Sequence, residues 1–168
     1  QRQMCIRDRA RTIKKDNDFT GLKIAVDFDG ESFCIRDNCG GIPLDVAQEY
    51  AFRFGRPKEK ETGNNETTGI FGIGMKRALF KLGDYFEIKS KTVTTSFEVK
   101  LDVEQWENEE SNNWDFPFSS YQENLCNSLE STGTTITVSR LRKEISADLK
   151  SRDFEKELIE HIQRLSLI

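Results

Sequence analysis

Two glycine-rich segments, separated by a long polar stretch, constrain the fold of this chain more than any other feature. Residues 37–43 read Asp-Asn-Cys-Gly-Gly-Ile-Pro and follow a β-type run, whereas residues 69–76 read Gly-Ile-Phe-Gly-Ile-Gly-Met-Lys and precede a helical pattern. Glycines ahead of a helix let the backbone approach a ligand closely, and the helix N-terminus favours an anion such as phosphate. The second segment therefore predicts a phosphate site, although an ordinary turn at a helix start would use similar residues.

The second segment departs from the two commonest nucleotide motifs. In a Walker loop Lys directly follows the second glycine and precedes Ser or Thr, but here Met75 intervenes before Lys76, and Arg77 follows. The dinucleotide fingerprint spaces its glycines two and then three residues apart, whereas here the spacing is three and then two. A different class of phosphate site is expected.

The first segment adds a carboxylate to the candidate binding residues. Asp37 ends an apolar-rich strand, where it is able to accept a hydrogen bond from the exocyclic amine of adenine. The alternative is that Asp37 only braces the turn or caps the helix predicted to start at Pro43. The segment by itself leaves both roles open.

Hydrophobic periodicity around these segments predicts an α+β fold. Alternation predicts strands over 22–28, 32–36, 85–92, 95–102 and 134–140, and the Asp29-Gly30 turn joins the first two as a hairpin. Helical spacing predicts helices over 43–54, 75–82 and 153–165, with Gly83 ending the second and His161 on the buried stripe of the third. The expected architecture is a two-layer sandwich, with helices on one face of a mostly antiparallel sheet.

Two stretches do not follow either period. Residues 55–68 are polar and glycine-containing, as is typical of a long functional lid. Residues 104–131 are acidic and irregular, and their aromatic residues, Trp106, Trp114, Phe116 and Phe118, are expected to pack rather than to form a partner surface.

Composition argues against a nucleic-acid-binding, membrane-spanning, disulfide-rich or metal-binding protein. The net charge of −4 gives no electrostatic indication of nucleic-acid binding. No apolar run reaches the roughly 18–20 residues of a membrane span. Four cysteines without a CxxC pair, together with a single histidine, favour reduced thiols in a cytoplasmic protein over a disulfide framework or a metal site.

The ordered set of motifs resembles the GHKL ATPases (gyrase, the ninety-kilodalton heat-shock chaperone, histidine kinases and MutL), and is most similar to the clamp-like, MORC-like members. The family pattern is a carboxylate-glycine box, a variable lid, a G-x-x-G-x-G box and a late Gly-Thr strand. In this sequence the four parts correspond, in the same order, to residues 37–41, 55–68, 69–74 and 133–136. The resemblance, which covers residues 10–141, implies the Bergerat-type version of the α+β sandwich.

The resemblance implies roles residue by residue. Asp37 would bind the adenine amino group together with a water and the hydroxyl of Thr134 or Thr135, Gly41 would leave room for the base, and Ile42 would line its pocket. The phosphate end would use backbone donors and a lysine from the second box: Gly69, Phe71, Gly72, Ile73, Gly74, Met75 and Lys76. One departure is Cys39, which stands where the family has its first glycine and is expected to pack.

A larger departure concerns the catalytic helix. The family reads E-x-x-x-N-x-x-D-A before the first hairpin, where Glu activates water and Asn holds Mg²⁺. If Ala10 is the final Ala, the corresponding positions are Arg2, Ile6 and Arg9. Residues 1–9 resemble translated sequencing adaptor and are interpreted as a non-native leader. Residues 10–168 are interpreted as a GHKL domain that is incomplete at the N-terminus and at the C-terminus.

The expected function is therefore ATP binding, coupled in the intact parent to Mg²⁺-dependent hydrolysis and to clamp-like closure of a homodimer. No catalytic or metal-binding residue is assigned in this chain. Two alternatives remain: a histidine-kinase-type ATP-binding domain, and a non-catalytic interaction module whose site has decayed. No phospho-acceptor helix is visible, which favours the clamp class over the kinase.

Overall fold

The fold is built on one six-stranded sheet in which all neighbouring strands are antiparallel. The computed structural model describes residues 6–14, 18–52, 73–108 and 116–166. The strand order is β1-β2-β6-β3-β4-β5. The strands are β1 Ile24–Phe28, β2 Ser32–Asp37, β3 Gly83–Lys91, β4 Ser96–Asp102, β5 Phe118–Gln122 and β6 Gly133–Leu141.

The helices form a second layer against this sheet. They are α1 Ile6–Ile13, α2 Leu44–Val46 with a π-helical turn Ala47–Ala51, α3 Ile73–Leu82, α4 Val103–Asn108, α5 Lys143–Leu149 and α6 Arg152–Ser166. Buried residues from α2, the π-helical turn, α3 and α4 share one core with the inward residues of β3, β4 and β6. The predicted α+β, two-layer Bergerat-type sandwich is confirmed.

Period-two alternation decides which face of the sheet is buried. In β3 the side chains of Phe86, Ile88 and Ser90 are buried, while Glu87 and Lys89 lie on the opposite face. Successive side chains of a strand point to opposite faces, and hydrogen-bonded register carries the same division into β4 and β6. The helical layer therefore covers one face, which we call the inner face.

Parts of the segment that the sequence left unplaced contribute to the core. Residues 103–108 form α4, and Phe118–Gln122 pairs with β4 as β5. Phe116 is buried among Phe52, Phe86 and Trp106, with ring centroids 5.5–6.3 Å apart. The prediction that Trp106, Phe116 and Phe118 pack is confirmed, and Trp114 lies outside the described residues.

The helix predicted to end at Gly83 does so, since α3 ends at Leu82 and Gly83 begins β3. A Cβ on Gly83 would lie 2.8 Å from the Ser139 carbonyl oxygen, so close approach of β6 favours glycine there. Two other features differ from the sequence analysis. His161 is exposed rather than on a buried stripe, because α6 touches the sheet layer near its start, where Phe154 meets Phe28. Helix α5 was not predicted. The predicted lid, 55–68, lies outside the described residues.

Candidate nucleotide site

A row of polar side chains crosses three adjacent strands on the inner face. Asp37 ends β2 and is the register partner of Thr134 on β6. Thr134 is in turn the register partner of Ser90 on β3. Thr134 is 5% exposed and Ser90 is 3% exposed, so the row is buried between the sheet and the helical layer. This position combines one carboxylate with two hydroxyls in an otherwise apolar layer.

The carboxylate of Asp37 already has two partners. Oδ1 accepts a hydrogen bond from the Cys39 backbone N–H at 2.9 Å, which is the turn-bracing role considered from the sequence. Oδ2 accepts a hydrogen bond from Nη2 of Arg9 on α1 at 2.6 Å, and both side chains of this ion pair are 3% exposed. Arg9 therefore covers the carboxylate that the sequence assigns to the adenine amine.

The glycine pair carries the chain from Asp37 onto the end of β3. Gly40 and Gly41 have φ of +91° and +72°, a region that L side chains rarely adopt. A Cβ on Gly41 would lie 2.2 Å from the Lys91 carbonyl oxygen. The Ile42 backbone N–H then donates to Ser90 Oγ at 2.6 Å. The backbone of β3 lies where a side chain at position 41 would be. This close approach accounts for glycine at position 41 without a bound base.

The second glycine segment is described only from its end. Gly69, Phe71 and Gly72 lie outside the described residues. Ile73 begins α3, Gly74 and Met75 follow in its first turn, and Lys76 is 2% exposed. Helix α3 contacts β3 and β6 on the inner face, the same face as Asp37. A single pocket shared by Asp37 and Gly74 stays a prediction.

The two candidate threonines differ in their position on the sheet. Thr134 is buried beside Asp37, whereas Thr135 is paired with Arg36 and Lys89 on the outer face. Adjacent residues of a strand cannot both point inward. Thr134 therefore lies on the same face of the sheet as Asp37, and Thr135 lies on the opposite face.

A cleft of about 450 Å³ opens beside the glycine loop. Its walls come from Arg9 and Ile13 of α1, from Cys39–Gly41, and from the β3–β4 turn at 92–95. This volume lies within the roughly 300–1,000 Å³ of small-molecule sites. Arg9, which covers Asp37, lines this cleft.

Cys39 packs at the wall of this cleft, as predicted, and is 2% exposed. Burial raises the pKa of the Cys39 thiol above its usual range, and the negative charge of Asp37 raises it further, while Arg9 opposes the change. The side chain is therefore a neutral thiol at neutral pH.

Magnesium is the ion that the family resemblance implies for the intact parent. The part of the chain that the structure describes contains no group of three His, Cys, Asp or Glu side chains arranged to hold a metal ion. Ile6, at the α1 position compared with the magnesium-binding Asn, has no ligand atom. The described residues do not fit a magnesium ion.

Two residues of the site were not identified from the sequence. Among the inward positions 86, 88 and 90 of β3, Ser90 is the one polar residue. Its place in the alternating pattern is the signal by which the sequence could have identified it. Arg9 was assigned to the leader, whereas α1 runs continuously through the predicted boundary between residues 9 and 10.

No helix in the described ranges is long and apolar enough to cross a membrane.

No curated protein was found to match the sequence. Among solved structures, the ATPase domain of MutL from Aquifex aeolicus, complexed with ADP, has a TM-score of 0.47 and 10% sequence identity, over 98% of this chain and 55% of that chain. The chain thus spans about half the length of that domain.

A family profile gives the assignment. The profile described as histidine kinase-, DNA gyrase B- and HSP90-like ATPase matches residues 15–134, from the approach to β1 as far as the threonine of the polar row. This range includes both glycine segments, the polar stretch between them and Ser90. The chain belongs to the family of histidine kinase-, DNA gyrase B- and HSP90-like ATPases.

Proposed function

We propose that this chain binds ATP at the polar row, with Asp37 and Thr134 recognising the adenine base and the start of α3 facing the phosphates. Membership in the ATPase family supports ATP as the ligand. The observation that carries the proposal is the buried carboxylate of Asp37 beside the hydroxyl of Thr134, at the wall of the glycine loop. Arg9 is the charged partner of this carboxylate, and a ligand that takes the place of Arg9 has to donate hydrogen bonds, because a buried carboxylate without a partner is costly.

Adenine matches the carboxylate by its donor pattern. Its exocyclic amine donates hydrogen bonds, and an ionised Asp only accepts them. Guanine presents a carbonyl oxygen at the corresponding ring position and would meet the carboxylate with another acceptor. Discrimination between the two bases therefore reports directly on Asp37.

Arg9 has to move before the amine can bind Asp37. The guanidinium occupies Oδ2 at 2.6 Å, and the Cys39 N–H occupies Oδ1. Base binding and the ion pair are therefore in competition, and the chain as given is expected to bind ATP weakly.

At the phosphate end, the first turn of α3 supplies backbone N–H groups and positive potential. Gly74 has open space where a side chain would be, which permits close approach of a ligand. Lys76 follows within the same turn. We propose that Ile73, Gly74, Met75 and Lys76 of this turn bind phosphate oxygens, together with Gly69, Phe71 and Gly72.

In the intact parent, we infer that ATP binding drives hydrolysis and a clamp-like conformational change between two copies of the chain. The histidine-kinase alternative shares the site but would transfer phosphate to a partner histidine. Three free cysteines among the described residues fit the proposed cytoplasmic location.

Isothermal titration of ATP and GTP tests the proposal. The Arg9→Ala chain should bind ATP, and adding Asp37→Ala should weaken ATP binding about ten- to a hundredfold, since a hydrogen bond to a charged group contributes about 1.5–3 kcal/mol. GTP should bind poorly to both. Asp27→Ala, an exposed carboxylate on the outer face of β1, is the control. Equal affinity for ATP and GTP, unchanged by Asp37→Ala, would refute the role of Asp37.

A further inference from the structure

Ser90 is a buried hydroxyl at a strand position where its neighbours are apolar. It is 3% exposed, and the other inward residues of this part of β3, Phe86 and Ile88, are fully buried hydrocarbons. A buried hydroxyl is costly unless its hydrogen-bonding capacity is used. The contacts of Ser90 Oγ therefore indicate what the hydroxyl does.

Those contacts connect the glycine loop to the late Gly-Thr strand. Ser90 Oγ accepts the Ile42 backbone N–H at 2.6 Å and lies 3.2 Å from Thr134 Oγ1. Its remaining neighbour is the Ile42 carbonyl oxygen at 3.5 Å. A backbone N–H only donates, so Ser90 necessarily acts as the acceptor toward Ile42.

The single proton of Ser90 then has two destinations. The Ile42 carbonyl lies at the outer limit of hydrogen-bond distance, whereas Thr134 Oγ1 is 0.3 Å closer, the difference between 3.5 and 3.2 Å. Donation to Thr134 is therefore favoured. In that arrangement Thr134 accepts from Ser90 and keeps its own proton for another acceptor.

We propose that Ser90 determines base specificity by orienting this chain of hydrogen bonds, so that Thr134 presents a donor to the base. The order is Ile42 N–H to Ser90 Oγ, Ser90 O–H to Thr134 Oγ1, and Thr134 O–H to the ligand. This inference rests on the proposed function, because it assumes that the base lies beside Asp37.

The resulting pair of groups matches one purine edge. Asp37 accepts and Thr134 donates, while adenine offers a donor at its exocyclic amine and an acceptor at ring nitrogen N1. Guanine offers a carbonyl acceptor and an N1–H donor, the reverse order. The hydrogen bond from Thr134 to N1 is made directly or through one water, which serves nearly as well. Ser90 is thus a positioning residue that need not touch the base.

A nucleotide lacking N1 separates this role from a structural one. We would titrate ATP and 1-deaza-ATP, in which a C–H replaces N1, into Arg9→Ala and into Arg9→Ala with Ser90→Ala. The Ser90 substitution should lower ATP affinity about three- to tenfold, the range of one hydrogen bond. It should leave the affinity for 1-deaza-ATP unchanged. Ser90→Thr, which keeps a hydroxyl, should restore ATP binding.

Controls keep the outcomes distinct. Ser139→Ala removes a hydroxyl from the outer face of β6 and should change neither affinity. Ser90→Cys retains a weak acceptor for the Ile42 N–H but is a poor donor, so it replaces Ser90→Ala if that variant does not fold. Equal losses for both nucleotides, or no loss for ATP, would overturn the role of Ser90. Failure of the Arg9→Ala chain itself to bind ATP would instead overturn the proposed function and, with it, this inference.

Discussion

Replacing Arg9 with alanine should change stability and nucleotide affinity in opposite directions. Arg9 and Asp37 form an ion pair with an Nη2–Oδ2 distance of 2.6 Å, and each side chain is 3% exposed. Without Arg9, the carboxylate of Asp37 stays buried with only the Cys39 N–H as its described partner from the polypeptide. An adenine amine would supply the missing donor.

The stability change follows from the burial of the pair. Removing one partner of a buried ion pair costs about 3–5 kcal/mol, because an uncompensated charge remains. For a chain of this size, that loss lowers the melting temperature by about 6–20 °C. Entry of water beside Asp37 would bring the result toward the lower end of this range.

The affinity change follows from competition. In the unsubstituted chain ATP binds only molecules whose ion pair is open, so the apparent dissociation constant equals the intrinsic constant divided by the open fraction. If opening costs about 1.5–3 kcal/mol, the value of a hydrogen bond to a charged group, Arg9→Ala should bind ATP about ten- to a hundredfold more tightly.

Thermal melts with and without ATP, together with calorimetric titration, measure both effects on the same samples. Arg11→Ala is the matched control, because Arg11 lies on α1 but is exposed. The control should change neither the melting temperature nor the affinity appreciably. An Arg9→Ala chain that melts at the same temperature as the unsubstituted chain, or that binds ATP no more tightly, would show that the ion pair does not compete with the base for Asp37.

Three further predictions concern the loop, the thiol and turnover. Gly41→Ala should lower the free energy of unfolding in denaturant titration by at least about 1–3 kcal/mol, from left-handed strain alone, with a further loss from the 2.2 Å approach to the Lys91 carbonyl; wild-type stability would contradict this. Iodoacetamide should label exposed Cys126 much faster than Cys39 at pH 8, and labelling of Cys39 should rise only at higher pH because its pKa is raised; equal rates by mass spectrometry would refute this. ATP turnover should be negligible in steady-state phosphate release, and restoring Glu-x-x-x-Asn ahead of Ala10 should increase it, since a positioned base contributes about 10²–10⁴-fold; equal rates would contradict the assignment.

Local patterns in the sequence determined most of the secondary structure and the family. Alternation predicted β1, β2, β3, β4 and β6, and helical spacing predicted α3 and α6, because both periods follow from backbone geometry alone. The ordered glycine boxes identified the ATPase family, since each box serves a local backbone requirement at the end of a strand or the start of a helix. Of the predicted helix 43–54, residues 44–51 are helical, as α2 followed by a π-helical turn, and residues 53–54 lie outside the described part of the chain.

Burial at the ends of elements was less predictable. His161 follows the spacing of the apolar residues of α6, yet it is exposed, whereas Phe154 near the start of the helix packs against Phe28. Residues 103–108 and 116–122 have weak periodicity, and there Phe116 packs against Phe52 and Phe86. In such segments tertiary contacts outweigh local propensity.

Only the tertiary structure decided which residues of the site contact one another. Arg9 meets Asp37 across 28 residues, Ile42 meets Ser90 across 48, and Ser90 meets Thr134 across 44. No local pattern encodes these pairings: the strand order β2-β6-β3 brings Asp37, Thr134 and Ser90 together, and the position of α1 brings Arg9 to Asp37. The sequence by itself determined that a carboxylate, a glycine pair and a threonine are available, whereas the tertiary structure placed the carboxylate beside the threonine and beside the buried guanidinium of Arg9.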